Sequence, residues 1–230
     1  MSSLVETLDR TVSDLLFALE AHPKARRLLA GDLTTDEYAA FLGQTYLYVR
    51  HTRPLLRRAG ERLGRSGQSP DLARLFLQKA DEEQGHEAWA LEDLARIGRP
   101  LDPAAPPAPS PAVTAYVAWN HFQVEAGSPL AFLGTAYVLE ALSQARAATA
   151  AAELVARRRI PGIERAVRFL RGHADADEGH LDVLRGLFTR LDSSADGPAI
   201  RLSAAVTAAL YLGMFAGDEA PITAVAKPCE

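Results

Sequence analysis

The sequence predicts an all-α fold, a helical bundle of about seven helices, because three observations agree. Apolar residues recur at helical spacing in the first segment, at Leu4, Leu8, Val12, Leu15, Leu16 and Leu19. Proline or glycine stands at the boundaries of the later segments, where helices commonly begin and end. No stretch alternates apolar and polar residues between turns, as a half-buried strand would.

The individual helices follow from their start and stop signals. Pro23 ends the first helix, and residues 24–29 are predicted to form a short turn. A threonine cap within Leu33–Glu37 begins the second helix, which Pro54 is expected to kink. The approximate bounds of the helices after the first are 33–63, 70–97, 111–125, 129–155, 162–191 and 198–215.

The whole chain, residues 1–230, is predicted to be a single helical domain. Prolines crowd residues 99–111, and such a segment favours an extended conformation over a helix. Candidate metal ligands lie on both sides of this segment, so we interpret it as a surface loop within one domain. A flexible tail is expected from about residue 218.

Composition and charge exclude several classes of function. The formal net charge of -4 and the lack of a long basic tract argue against nucleic acid as a partner. The most apolar stretch, residues 202–217, is too short to span a bilayer, so no membrane association is expected. Cys229 is the only cysteine, and the first residues lack the pattern of a secretory signal, which together predict a cytoplasmic location.

The most informative motif is a set of three polar residues on one predicted helix. His173, Asp177 and His180 stand at positions i, i+4 and i+7, which places two imidazoles and a carboxylate on one stripe. These three side chains are therefore candidate ligands of one metal site.

Two further helices carry complementary ligands. Glu83 and His86 form a Glu-x-x-His unit, the pattern that di-iron helical bundles use. Glu140 lies among apolar neighbours, where an unpaired carboxylate would be costly. His51 is a weaker candidate ligand, whereas His121 is interpreted as a core histidine.

The full candidate set contains nitrogen and oxygen ligands without a thiolate. Such a set suits iron, with manganese as a possible substitute, better than structural zinc. Two metal ions would each receive about three protein ligands. The six predicted ligands are Glu83, His86, Glu140, His173, Asp177 and His180.

These residues resemble the pattern of the haem-oxygenase-like di-iron oxidases, also described as iron-containing redox enzymes of the haem-oxygenase-like fold. The resemblance covers most of the chain, and the His-x-x-x-Asp-x-x-His triad is its most specific part. The segments that carry it are Leu28–Tyr38, Tyr137–Glu140 and His173–His180. The family pattern carries over to the six candidate ligands. Some members place a carboxylate seven residues before the first histidine, where this sequence has Lys79, and Glu83 then takes its role.

The resemblance implies an enzyme that activates dioxygen at two iron ions and oxidises a small molecule. Amino acids and fatty acids are the implied substrate types, and the implied reactions are nitrogen oxygenation, desaturation and carbon–carbon cleavage in biosynthesis. An external electron donor and a homodimer are expected as well. Within the cavity, Arg50, Lys79 and Gln144 are candidate substrate-binding residues, and either cation could hold a carboxylate.

Several alternatives compete with this hypothesis. Haem binding is not expected, because residues 4–20 contain no histidine to bind haem iron. A thiaminase-like enzyme would need a cysteine in the helical core, and Cys229 lies in the tail. A ferritin-like di-iron protein would lack a use for His173. A metal-free helical binding or scaffold protein is the remaining alternative, for which Lys79 is the clue.

Overall fold

The computed structural model describes residues 2–67, 69–176, 180–192 and 194–215, without the side chains of residues 174–176 and 180. Helices dominate this part of the chain, and no strand occurs within it, so the predicted all-α fold is confirmed. The α-helices are α1 Leu4–Ala21, α2 Pro23–Leu29, α3 Thr35–Val49, α4 Thr52–Ser66, α5 Pro70–Glu82, α6 His86–Arg96, α7 Pro111–Glu125, α8 Phe132–Arg157, α9 Arg168–Ala176, α10 His180–Leu191 and α11 Gly197–Gly213.

The first helix begins at a capping box, and the second begins at a proline. The hydroxyl of Ser3 accepts a hydrogen bond from the backbone of Glu6, and the Glu6 carboxylate accepts one from the backbone of Ser3. The segment predicted as a short turn is instead the helix α2. Pro23 occupies its first position, where a missing N–H costs nothing because no helical partner exists there.

The second predicted helix is divided into two. Thr34 caps α3 as expected, but α3 ends at Val49 and α4 starts at Thr52. Pro54 causes this break, because its ring clashes with the carbonyl four residues earlier, at Arg50, and it has no N–H to donate. The predicted kink is thus a complete interruption.

Two other predicted helices are also interrupted. Residues 83–85 separate α5 from α6, and Gly85 has a φ of 88°, a left-handed conformation that favours glycine. The predicted helix 162–191 consists, in its described part, of a 3-10 turn at Ile163–Arg165 followed by α9 and α10. Residues 177–179, where the predicted ligand Asp177 stands, lie outside the described residues.

Helix α8 is the central element of the bundle. Its first half packs into an apolar core with α1, α4, α5, α10 and α11, and its second half packs into another core with α3, α6, α7 and α9. At Gly134 the backbone of α11 comes so close that an added Cβ would lie 2.2 Å from the carbonyl oxygen of Ile200. Glu140 lies in the first half of α8, between Val138 and Ala141 of the first core.

A buried hydrogen-bond network joins α7, α8 and α11. The hydroxyl of Thr135 donates to Asn120 Oδ1 at 2.8 Å and lies 3.0 Å from Ser203 Oγ and 2.9 Å from Thr207 Oγ1. The indole of Trp119 donates to Ser203 from the outer side. Because each buried group has a partner, the network holds the three helices in one arrangement.

The proline-rich segment contains no regular helix between α6 and α7, and most of its residues are exposed. Its end is attached to the bundle, because the backbone of Ser110 donates to Gln44 Oε1 at 2.8 Å. Among the described helices, none combines the length and the apolar character needed to cross a membrane.

Candidate metal centre

Glu83 and His86 flank the break between α5 and α6. Glu83 is the capping residue at the end of α5, and His86 is the first residue of α6. The prediction placed both on one continuous helix, and the left-handed Gly85 between them makes that part wrong. The turn still brings their side chains together, with His86 Nδ1 3.0 Å from Glu83 Oε2.

His173 on α9 completes a cluster with these two residues. One potential ligand atom from each of Glu83, His86 and His173 lies within 4.8 Å of the others. The two imidazole rings stand edge to face with their centroids 5.2 Å apart. Three of the six predicted ligands therefore converge on one point.

The imidazole of His173 is oriented by its own helix. Its Nδ1 lies 2.8 Å from the carbonyl oxygen of Phe169, and a carbonyl can only accept, so Nδ1 carries the proton. The lone pair of Nε2 is then available for a metal ion, as in many histidine ligands. Burial lowers the pKa of His173, which favours the neutral form that metal binding requires.

The carboxyl of Glu83 is ionised in this environment. Burial by itself raises its pKa, but the imidazoles of His86 and His173 and the ammonium of Lys79 together outweigh that effect. The net result is a pKa below the usual value for a glutamic acid. The cluster therefore offers one carboxylate and two imidazoles.

Two residues of α6, Asp93 and Trp89, hold α6 and α9 in a fixed relative position. The fully buried carboxylate of Asp93 accepts a hydrogen bond of 2.8 Å from the backbone N–H of Phe169, at the beginning of α9. The ring of Trp89 stacks on His86 with a centroid distance of 4.0 Å and meets His173 edge to face. Asp93 and Trp89 thus fix the positions of both histidines, although neither was singled out from the sequence.

The cluster opens onto a cavity of about 170 Å³ along α8. Its walls are mainly apolar, contributed by leucine, phenylalanine and alanine side chains of several helices. The polar or ionisable residues that line it are Tyr48, Thr52, Lys79, Glu83, Tyr116, Thr135, Glu140, Ser143, Arg146, His173 and Tyr211. Such a cavity, apolar with a few polar groups, is the usual form of a small-molecule site.

The structure locates one of the other three predicted ligands and does not describe the side chains of the remaining two. Glu140 lines the same cavity as Glu83 and His173, as a shared site requires. Asp177 lies outside the described residues, and His180 is the first residue of α10 with its side chain outside the description. The assignment of these two residues as ligands stays a prediction.

The predicted substrate-binding residues have different positions. Lys79 lines the cavity, and its Nζ lies 3.1 Å from Glu82 Oε2. Arg50 and Gln144 are exposed and do not belong to the cavity wall. The guanidinium of Arg50 instead lies 5.6 Å from the ring centre of Tyr46.

His51 does not join the cluster of ligand atoms. Its Nδ1 lies 3.2 Å from Nε2 of His121, so these two histidines form a separate pair between α4 and α7. His121, which was interpreted as a core histidine, is half-buried and has His51 as a partner.

Sequence reasoning missed two polar residues in the cavity wall. Ser143 and Arg146 follow Glu140 at intervals of three residues on α8 and line the same cavity. Helical spacing from Glu140 was the signal that could have found them.

The donor set fits an iron ion. Two imidazoles and one carboxylate form the combination that non-haem iron oxygenases use, with positions left open for other molecules. The carbonyl of Phe169, which orients one of the imidazoles, provides the outer hydrogen bond that metal-binding histidines usually have.

Comparison with protein families assigns the chain to one family. The family described as iron-containing redox enzyme matches residues 39–213, and the chain belongs to it. No curated protein matches the sequence.

Solved structures agree on the fold. A domain of unknown function with a haem-oxygenase-like fold from Shewanella denitrificans OS217 is 19% identical, with a TM-score of 0.78 over 94% of this chain and 91% of that chain. A TenA homologue from P. horikoshii OT3 is 14% identical, with a TM-score of 0.69 over 94% and 97%. A TenA homologue from Pseudomonas syringae pv. tomato DC3000 is 14% identical, with a TM-score of 0.73 over 93% and 91%. The predicted haem-oxygenase-like fold is therefore confirmed.

Proposed function

We propose that this chain is a non-haem di-iron oxidase or oxygenase that uses dioxygen to oxidise a small molecule of the amino-acid or fatty-acid type. In this proposal the described cluster binds one iron ion. Glu140, together with the two predicted ligands near the start of α10, binds the second. The proposed ligands are Glu83, His86, Glu140, His173, Asp177 and His180.

The observation that carries the proposal is the convergence of Glu83, His86 and His173 beside an apolar cavity. Membership in the iron-containing redox enzyme family supports iron as the metal. A purely structural role would not explain why two imidazoles and a carboxylate meet at one point, with Glu83 and His173 also lining the cavity.

Bound iron would supply the activation of dioxygen and the redox chemistry that the protein itself lacks. The chain's own residues contribute position and environment. Phe169 keeps the proton of His173 on Nδ1, so that Nε2 faces away from the α9 backbone as a lone-pair donor. The apolar walls exclude water, which strengthens electrostatic interactions inside the cavity.

The cavity favours a fatty-acid type of substrate over an amino-acid type. A small amino acid would bring an ammonium in addition to its carboxylate, with little apolar surface, into a mainly apolar space where unpaired charges are costly. A molecule with an apolar chain would instead gain about 0.8 kcal/mol for each methylene group that it buries. An external electron donor and a homodimer belong to the proposal as well.

The test is the iron content of the protein after anaerobic reconstitution with ferrous iron. We expect about two iron ions per chain, following the two-metal carboxylate sites of helical bundles. His173→Ala and Glu140→Ala should each lose iron. His51→Ala is the matched control, because His51 is also a partly buried histidine but pairs with His121.

The optical spectrum after addition of oxygen provides a second readout. An oxygen-dependent absorption change in the wild-type protein, absent from His173→Ala, would support the proposed reaction class. Wild-type protein that takes up no iron would contradict the proposal and favour a metal-free binding protein. Equal iron content in all three variants would refute the ligand assignment.

A further inference from the structure

Helix α8 presents a polar stripe to the apolar cavity. Glu140, Ser143 and Arg146 stand at positions i, i+3 and i+6, and all three line the cavity. Residues at this spacing lie on one side of a helix, one turn apart. The stripe begins at a proposed metal ligand and continues away from it.

Ser143 is a buried donor within this stripe. Its Oγ is shielded from solvent, and no hydrogen-bond partner for it lies among the described residues. An unsatisfied buried hydroxyl is costly, so such groups usually have a role. A ligand oxygen in the cavity would satisfy this hydroxyl.

Arg146 provides the charge one turn further along. Its side chain is 36% exposed and pairs with Glu20, and its Nη1 donates to the carbonyl oxygen of Ala145 at 3.0 Å. The planar guanidinium suits carboxylates, because it can donate two parallel hydrogen bonds to one of them.

Glu20 is a weak competitor for this guanidinium. Its side chain is half exposed, so water screens the ion pair. It also lies in the last turn of α1, where the negative end of the helix dipole disfavours a carboxylate. A ligand carboxylate that also contacts Ser143 can replace it.

We propose that Ser143 and Arg146 form a binding site for the carboxylate of an amphipathic substrate whose unbranched apolar chain fills the cavity. This inference rests on the proposed function and defines the substrate as an aliphatic carboxylate. The hydroxyl of Ser143 and the guanidinium of Arg146 both donate to the carboxylate, and the apolar walls contact its chain.

The position of this site determines which part of the substrate lies near the proposed ligands. Six residues along α8 separate Arg146 from Glu140, a rise of about 9 Å along the helix axis. That distance corresponds to roughly seven carbon–carbon bonds of an extended chain. A substrate held in this way presents its methylene chain, and not its carboxyl carbon, to Glu140.

The test compares the binding of decanoate and decan-1-ol by isothermal titration calorimetry. The two probes have the same chain, but only decanoate carries the anion. We expect Arg146→Met to weaken decanoate binding by about tenfold or more and Ser143→Ala to weaken it about threefold to tenfold. Both variants should bind decan-1-ol as the wild-type protein does.

Two further variants sharpen the test. Glu20→Gln should tighten decanoate binding, because the competing carboxylate is removed. Arg157→Met is the matched control, since Arg157 is an exposed arginine of the same helix that pairs with Glu153, and it should leave both affinities unchanged. Ser143→Ala keeps the pair between Arg146 and Glu20, so its effect does not depend on that surface contact.

Either of two results would overturn the inference. One is wild-type protein that does not prefer decanoate to decan-1-ol, and the other is unchanged decanoate affinity in Arg146→Met and Ser143→Ala. Iron content, measured on the same samples, separates this failure from failure of the proposed function. Normal iron with no preference for decanoate would refute only the carboxylate site.

Discussion

Replacement of Gly172 by alanine tests whether the aromatic residues around the candidate centre position its histidines. Gly172 lies on α9, one residue before His173, and it faces the ring of Trp89. A Cβ at this position would lie 2.5 Å from Trp89 Cζ3 and 2.8 Å from its Cε3. The ring must therefore move, and it stacks on His86.

The size of the effect follows from these distances. Carbon atoms pack at about 3.5 to 4.0 Å, so the ring of Trp89 must shift by about 1 Å. Loss of outer-shell support for a metal ligand typically reduces metal affinity about 10-fold to 100-fold, and we expect a similar reduction in iron affinity.

The stability of the fold is a separate readout of the same variant. Alanine in place of glycine favours a helix by about 1 kcal/mol, and overpacking costs about 1 to 3 kcal/mol. These terms oppose each other, so the free energy of unfolding should fall by about 0 to 2 kcal/mol. A loss of iron affinity in a metal-free protein that still unfolds cooperatively is the distinctive result.

The assay is anaerobic competition for ferrous iron with a coloured chelator, together with thermal unfolding of the metal-free protein. Gly186→Ala on α10 is the matched control, because a Cβ there would meet no atom within 4 Å. It should stabilise the helix without changing iron affinity. Wild-type iron affinity in Gly172→Ala would refute the role assigned to Trp89.

Three further predictions concern the fold. Thr135→Val keeps the side-chain shape but leaves buried partners unsatisfied, so urea denaturation should show a loss of about 1 to 3 kcal/mol. Gly134→Ala forces α8 and α11 apart, and overpacking of about 1 to 3 kcal/mol should lower the melting temperature. Hydrogen bonds from the Thr34 backbone and the Arg27 side chain lower the pKa of Glu37 from 4.5 to about 2. Their stabilising effect is complete above pH 4.5 and is lost as the pH falls towards 2, so the stability difference between wild type and Arg27→Met should shrink over that range.

The fold class could be predicted from the sequence because local signals agree with the final structure. The apolar repeat of α1 and the threonine cap of α3 depend only on neighbouring residues. The interruptions of the helices were harder to predict, since a proline such as Pro54 can either kink a helix or end it. Which of these happens depends on the packing of the following helix, and one sequence does not contain that information.

The candidate site shows the same division between local and distant effects. The spacing of Glu83 and His86 was visible in the sequence, and their side chains are in contact in the structure. The roles of Asp93 and Trp89 arise from contacts with α9, more than seventy residues away in the chain. Helical spacing could have found Ser143 and Arg146, but only the cavity shows what their stripe faces.

The break before α6 places two candidate ligands of one short motif at the junction of two helices. In a continuous helix, the backbone N–H of His86 would bond to the carbonyl four residues earlier, at Glu82. Here it points towards the carbonyl of Glu83 at 3.4 Å, and Gly85 turns the chain. His86 therefore belongs to α6, which the hydrogen bond from Phe169 to Asp93 connects to α9. Glu83 remains at the end of α5. Three helices thus bring their candidate ligands to one point, and a residue with a Cβ at position 85 would strain that turn.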